Sequence, residues 1–198
     1  MLNDGTLPFY LPASARAQIA KATKNADDHD ARFLQQLIEG FKWQTYVANA
    51  IGSYGMATKV HPLRVRPDRK KAKGYGDAYD VLVGAHKKVD CDECGNEGLI
   101  TVWRSIEVKA RTRAFTTPED FPFPTVMVEP LSRYEKRTEL PDWYCIVSQL
   151  NQNMMFIDTK TAPEWEPLKK MGREYITARK EFFVDVDQFI KELQAQIS

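Results

Sequence analysis

Two stretches near the start of the chain carry apolar residues at the spacing of an amphipathic helix. Residues 13–25 show a weak version of this pattern and predict a peripheral helix. Further on, apolar side chains recur every three or four positions, as Phe33, Leu37, Phe41, Val47, Ala48 and Ile51. Gly52 and Gly55 end this second pattern, so we predict a main helix over residues 32–51, with Gly40 as a weak point inside it.

Apolar runs and alternating patterns in the middle of the chain predict three strands. Residues 57–66 alternate well enough for a first strand. Residues 79–83 form a short apolar run closed by Gly84, and residues 99–108 are rich in β-branched and aromatic side chains. We therefore predict that the last two strands form a hairpin, with the polar, cysteine-containing residues 86–98 at its tip.

The second half of the chain predicts more strands and a closing helix. Prolines make its beginning irregular, but residues 125–128 predict a strand, and residues 143–149 and 154–158 flank a turn-like segment and predict a second hairpin. Residues 181–184 resemble a late strand. Asp185 can cap a final helix that presents Phe189, Ile190, Leu193 and Ile197. Together the elements predict an α/β fold with a mixed β-sheet flanked by helices.

Length, composition and charge restrict the class of protein. At 198 residues the chain has the ordinary size of one domain with a hydrophobic core. The hydrophobic share of 43% and the charged share of 28% exclude a collagen-like chain and a wholly disordered one. Because the formal net charge is only +1, attraction to nucleic acid must come from a local positive patch.

Localisation and redox state are predicted from what the sequence lacks. No run approaches the roughly 20 apolar residues of a membrane helix, and the N-terminus lacks the pattern of a signal peptide. We expect a cytoplasmic protein without a membrane partner, in a cell or in a virus-infected host cell. An odd number of cysteines, two of them in a CxxC spacing, makes a disulfide framework improbable.

Two carboxylates and a lysine are the candidate catalytic residues. Glu107 and Lys109 share one face of the predicted strand, while Val108 turns to the other face. If that strand pairs with residues 79–83, Asp80 joins them. Two close carboxylates form a hard oxygen site for Mg²⁺ or Mn²⁺, and an adjacent lysine can position or deprotonate a water for phosphodiester hydrolysis.

Two other interpretations of these residues stay open. Asp77 competes with Asp80 for the metal-binding role, although the apolar run begins directly after Asp80. Alternatively, Glu107 and Lys109 form a solvent-facing ion pair on an amphipathic strand, and Asp80 caps a turn.

The pattern of a long helix, a strand, a strand bearing Asp80 and a strand ending in Glu107-Val108-Lys109 resembles the PD-(D/E)XK nuclease-like superfamily. The resemblance covers residues 32–113, less than half of the chain. It implies a restriction endonuclease-like core with added hairpins, metal binding by Asp80 and Glu107, and a role for Lys109 toward the attacking water.

Members of that superfamily also place an acidic residue on the preceding helix. Glu39 is the available carboxylate, while Gln44 lies nearer the usual position in some members. Two departures stand out: Tyr79 replaces the usual proline before the aspartate, and residues 86–98 are an insertion that must loop out of the strand pairing.

Basic residues on both sides of the candidate site could contact phosphates. A basic run over residues 59–73 includes Lys70, Lys71 and Lys73, and Arg111 and Arg113 follow Lys109 at the end of its strand. The same residues would also suit a solvated loop and an ordinary polar surface, so both interpretations stay open.

The CxxC pair, Cys91 and Cys94, resembles half of a zinc knuckle. A structural zinc ion needs four ligands, and His86 and His61 are the available candidates for the others. An unmetallated hairpin tip is the alternative. The third cysteine, Cys145, stands between apolar neighbours and is predicted to be a core thiol.

These observations predict a single nuclease-like domain over residues 1–198. Residues 1–30 form a peripheral helical segment, residues 31–113 carry the catalytic motifs, and residues 114–198 supply the remaining sheet and the last helix. We expect a Mg²⁺-dependent nuclease, acting on DNA rather than RNA, with endonucleolytic cleavage favoured and pairing into a homodimer as an analogy. The alternatives are a catalytically silent subunit of the same fold that binds nucleic acid or protein, and a small zinc-binding interaction module.

Overall fold

The computed structural model of the protein describes residues 13–23, 28–62, 79–90 and 97–197. Its helices are α1 (Ala13–Thr23), α2 (Asp28–Gly52), α3 (Leu131–Tyr134) and α4 (Val186–Ile197), with 3-10 turns at Thr159–Glu164 and Lys180–Phe182. Its strands are β1 (Ala57–Val60), β2 (Val81–Asp90), β3 (Glu97–Arg111), β4 (Thr125–Pro130), β5 (Trp143–Ser148), β6 (Met154–Asp158), β7 (Glu166–Lys170) and β8 (Arg173–Arg179).

A five-stranded mixed sheet in the order β1-β2-β3-β5-β6 forms the centre of the fold. All neighbours pair antiparallel except β3 and β5, which run parallel. Helices α2 and α4 cover one face, where residues such as Val47, Ile51 and Phe189 pack with Ile106 and Trp143. The predicted α/β fold, a mixed sheet flanked by helices, is therefore confirmed at this level. None of the described helices is long and apolar enough to cross a membrane.

A smaller antiparallel sheet in the order β4-β8-β7 packs on the opposite face of the large sheet. Strand β5 separates the two cores, because Trp143 and Cys145 face the helices while Tyr144 and Ile146 face the small sheet. This explains why every residue of β5 is buried. The prediction that this second hairpin is an addition around the core was wrong, since β5 and β6 are members of the main sheet.

The β2-β3 hairpin is longer than its sequence pattern predicts. Gly84 does not end its strand, and pairing continues from Val81 opposite Ile106 to Asp90 opposite Glu97. The expectation that residues 86–98 loop out was wrong, because most of that segment extends the ladder. Gly84 fits since it lies opposite Trp103: a Cβ atom there would come within 2.9 Å of the indole and 2.7 Å of Thr101 Cγ2.

Helix predictions hold, whereas the late-strand prediction fails. The main helix begins somewhat earlier than its apolar pattern, and Asp185 caps α4 by accepting a hydrogen bond of 2.8 Å from the backbone N–H of Gln188. In residues 181–184 only Val184 makes a strand-like bridge, to Phe156, and a 3-10 turn precedes it. Strands β7 and β8 were not predicted, since β7 is exposed along its whole length and has no apolar alternation.

Candidate active site between the two sheets

Asp80 is held at the junction of α2, β2 and β3. Its backbone N–H donates to the carbonyl of Ile106 at 3.0 Å, which places it beside β3. Its carboxylate accepts two hydrogen bonds of 2.7 Å, at Oδ1 from Gln44 Nε2 and at Oδ2 from the backbone N–H of Val108. The predicted convergence of Asp80 with the Glu107-Val108-Lys109 segment is therefore present, and Gln44 completes it.

The electrostatic setting of Asp80 shows that a second carboxylate is close. Burial raises the pKa of Asp80 to about 7, and the negative charge of Glu107 raises it further against the opposing charge of Lys109. Near neutral pH, Asp80 therefore exchanges readily between its protonated and ionised forms. Positive charge brought between the two carboxylates would favour the ionised form.

Glu107 and Lys109 lie on the face of β3 that points away from the helices and toward the small sheet. Their side chains form an ion pair, with Lys109 Nζ 2.5 Å from Glu107 Oε1. Glu107 is only 2% exposed. The interpretation of this pair as a solvent-facing feature is thus wrong, because the pair is enclosed between the two sheets.

A third carboxylate, Glu129, enters the same cluster from the end of β4. Its side chain is fully buried and lies 3.3 Å from Lys109 Nζ and 2.8 Å from Arg137 Nε, and it accepts a hydrogen bond of 2.9 Å from the Tyr144 hydroxyl. Burial alone would raise the pKa of Glu129, but hydrogen bonding to Arg137 and the charges of Lys109 and Arg137 outweigh it and lower the pKa to about 2. Glu129 therefore stays ionised.

Two arginines on and just after α3 complete the cluster. Arg137 Nη2 is 3.1 Å from Glu107 Oε2, and Arg133 lies 3.3 Å from Glu107 and 3.1 Å from Glu129. Arg137 is almost fully buried, whereas the side chain of Arg133 is 56% exposed. Asp80, Glu107 and Glu129 thus face Lys109, Arg133 and Arg137, and Arg133 is the cation that reaches solvent.

The residues present fit a divalent ion at Asp80 and Glu107. The two carboxylates repel each other, as the raised pKa of Asp80 shows. Glu107 Oε2 is buried and accepts no hydrogen bond of good geometry, although Arg137 lies nearby. Among the described residues, no group of three or more His, Cys, Asp or Glu side chains is arranged around a common point. Asp80 and Glu107 are therefore the pair that would hold the ion.

The other predicted helix residue, Glu39, lies away from this cluster. It is exposed, and it precedes Gln44 by five residues, which turns it about 140° around α2. Gln44, an amide in place of the predicted acid, is the α2 residue that contacts Asp80. Asp77 lies outside the described residues, as do Lys70, Lys71 and Lys73 of the basic run.

The two arginines beyond Lys109 have different surroundings. Arg111 is partly buried, and its Nη2 donates to the carbonyls of Met127 at 3.0 Å and Val128 at 3.3 Å, which ties the end of β3 to β4. Burial lowers the pKa of Arg111. Arg113 is exposed, with its guanidinium 5.6 Å from the ring centre of Phe123.

The cysteine and histidine predictions divide in the same way. Cys91 and Cys94 lie outside the described residues. His86 is exposed and contacts Thr101 through Nδ1 at 3.1 Å, and His61 packs edge-on against Tyr79. Cys145 is buried in the core, as predicted, and burial raises the pKa of its thiol.

Sequence reasoning missed Glu129, Arg133, Arg137 and Tyr144. A signal was present, since an acid directly follows the predicted strand 125–128 and arginines stand four and eight positions after it. That pattern could predict an Arg–Glu contact across one helical turn. It could not predict that β4 would bring these residues to Glu107.

No protein-family model matches this chain, and searches of curated proteins and of solved structures find no match either. The resemblance to the nuclease-like superfamily stays a prediction. The function proposed below is therefore based on the residues of the site and their contacts.

Proposed function

We propose that this protein is a metal-dependent nuclease of the PD-(D/E)XK nuclease-like kind that hydrolyses phosphodiester bonds in DNA. The observation that carries the proposal is the convergence of Asp80, Glu107 and Lys109, with the two carboxylates coupled electrostatically and the lysine bonded to Glu107. The order α2-β1-β2-β3, with Asp80 before β2 and Glu107 and Lys109 near the end of β3, agrees with the arrangement that the resemblance implies.

The proposed roles follow from these contacts. Asp80 and Glu107 would hold Mg²⁺ or Mn²⁺, whose charge stabilises the negative charge that develops on the phosphate during hydrolysis. Lys109, positioned by Glu107 and Glu129, would orient the attacking water. Gln44 and the backbone of Val108 fix the carboxylate of Asp80, and the exposed part of Arg133 can bind a phosphate oxygen.

The choice of DNA is supported by local positive charge on a chain whose net charge is +1. Exposed cations occur at Arg113 and along the β7-β8 hairpin, where Lys169, Lys170 and Arg173 flank the turn. Clusters of this kind contact the phosphate backbone and supply most of the non-specific affinity. Endonucleolytic action and pairing into a homodimer are further parts of the proposal that rest on analogy.

One observation favours the catalytically silent alternative. Glu107 and Glu129 are already neutralised by Lys109, Arg133 and Arg137, which is the arrangement of a structural ion-pair network. A silent protein of this fold would bind DNA or a protein partner without cutting. A separate proposal, zinc at Cys91 and Cys94, is tested by elemental analysis of protein purified without chelator, with Cys94→Ser as the comparison.

The test is DNA cleavage by the full chain with Mg²⁺ or Mn²⁺ against the same reaction in EDTA. Duplex, single-stranded, flapped and branched substrates are compared. We expect metal-dependent cutting, loss of at least about a hundredfold in rate in Lys109→Ala, and unchanged DNA binding. Glu39→Gln, an exposed position on α2, is the matched control and should cut like the wild type. Binding without cleavage on every substrate would instead support the silent alternative.

A further inference from the structure

A pocket of about 180 Å³ opens beside the end of β3 and the start of β4. Its walls include Arg111, Arg113, Phe121, Phe123, Leu168 and Lys170. Three of these side chains are cations, and no acidic side chain lines the pocket. The pocket therefore has an excess of positive charge and a partly aromatic surface.

The positive charge of the pocket is not neutralised from within the protein. Neither Arg111, Arg113 nor Lys170 forms an ion pair with a carboxylate in the part of the chain that the structure describes. The adjoining cluster is different, because there Glu107 and Glu129 balance the cations. An anionic group is what the pocket lacks and would attract.

The aromatic wall specifies the rest of the ligand. Phe123 is 39% exposed, and its ring centre lies 5.1 Å from Lys170 Nζ and 5.6 Å from the Arg113 guanidinium. Phe121 supports the ring edge-on, with 6.0 Å between the ring centres. An exposed aromatic ring beside unpaired cations is the combination by which proteins bind single-stranded nucleic acid, stacking on bases and pairing with phosphates.

We propose that this pocket binds one unpaired nucleotide of the substrate, with its base on Phe123 and its phosphate between Arg113 and Lys170. The volume limits the ligand, because sites for whole drug-sized molecules span about 300–1,000 Å³. At about 180 Å³ the pocket accommodates one base and excludes a base pair. The protein therefore prefers DNA with an unpaired stretch over fully paired duplex.

The pocket also lies one short step from the candidate active site. Arg111 follows Lys109 by two residues on β3, and Met127 precedes Glu129 by two on β4. Two residues of a strand span roughly 6.6 Å. The bound nucleotide would therefore be adjacent to the bond that is cut. This placement rests on the proposed function, whereas the binding of an unpaired nucleotide does not.

The experiment measures DNA binding of the full chain in EDTA, which prevents metal-dependent cleavage. The probes are a fluorescein-labelled single strand, the same strand as a blunt duplex, and an abasic strand of equal length that keeps the phosphates. Phe123→Leu removes the aromatic face but keeps apolar volume, and Phe123→Trp restores it. Lys170→Gln tests the phosphate contact, with Lys160→Gln as its control at another exposed lysine.

We expect the wild type to bind the single strand more tightly than the duplex. Phe123→Leu should weaken single-strand binding roughly tenfold without changing abasic-strand binding, and Phe123→Trp should keep wild-type affinity. Lys170→Gln should flatten the salt dependence by about 0.7 per phosphate contact, while Lys160→Gln should not. Equal affinities of wild type and Phe123→Leu for both strands would overturn the proposal.

Cleavage assays with Mg²⁺ separate this inference from the proposed nuclease function. If Phe123→Leu binds and cuts like the wild type, the pocket assignment is overturned and the nuclease assignment stands. If the wild type binds single strands through Phe123 but cuts no DNA, the pocket assignment is supported and the nuclease assignment fails.

Discussion

Gln44 Nε2 donates a hydrogen bond of 2.7 Å to Asp80 Oδ1, which joins the middle of α2 to the residue that precedes β2. The two residues are 36 positions apart in the sequence. Asp80 Oδ2 is held by the backbone N–H of Val108, so the carboxylate is fixed from two elements. Its orientation toward Glu107 therefore depends on how α2 packs on the sheet.

Replacing Gln44 with Leu should destabilise the protein and the site together. Asp80 Oδ1 would lose its donor in a poorly solvated position, and we expect a loss of about 1–3 kcal/mol in the free energy of unfolding. Urea denaturation measures this loss. Gln36→Leu, at an exposed position of the same helix, is the control and should stay within about 0.5 kcal/mol of wild type. Equal stability of both variants would contradict the positioning role of Gln44.

Stability should fall with rising pH because of Asp80. Its pKa is about 7 in the folded protein against an ordinary value of 3.8, so the folded state binds the proton more tightly than the unfolded state. The contribution of Asp80 is full below about pH 4 and is lost as pH rises to about 7. Urea titrations in EDTA across this range should show the decline in wild type and a smaller one in Asp80→Asn. A parallel decline in both proteins would exclude Asp80 as its source.

Glu129 should contribute far more stability than an exposed glutamate with the same kind of partner. Glu129→Gln would leave Arg137 and Lys109 buried beside fewer negative charges, and removing one member of a buried pair costs about 3–5 kcal/mol. The matched control is Glu164→Gln, whose partner Arg179 is mostly exposed and whose loss should cost at most about 1 kcal/mol. Chemical denaturation compares the two, and similar losses would show that the cluster is not a stabilising network.

Gly84 should not tolerate even a methyl group. In Gly84→Ala the new Cβ would meet Trp103 and Thr101 at less than 3.0 Å, and displacing a packed indole costs about 1–3 kcal/mol. Gly98 lies in the same hairpin, and a Cβ there meets Val89 only at 3.7 Å, so Gly98→Ala is the control. Thermal unfolding should rank Gly84→Ala well below Gly98→Ala. The reverse ranking would mean that Trp103 does not cross this strand.

Local patterns in the sequence were sufficient for most elements of the main sheet and for its two long helices. The apolar spacing of α2 and the paired runs of β2-β3 and β5-β6 all reflect burial of one or both faces, which leaves a period in the sequence. The Glu107-Val108-Lys109 motif could be oriented for the same reason, because alternate residues of a strand share a face. Strand β7 has no buried face and was therefore missed.

The sequence by itself determined which side chains share a face of each element, and with it the pairing of Glu107 with Lys109. Only the tertiary structure decided which elements meet: that Gln44 rather than Glu39 reaches Asp80, and that β4 brings Glu129 to Lys109. The physical reason is that side-chain periodicity is a local consequence of backbone geometry. Contacts between distant segments depend on how whole helices and sheets pack against one another, and no short pattern encodes that packing.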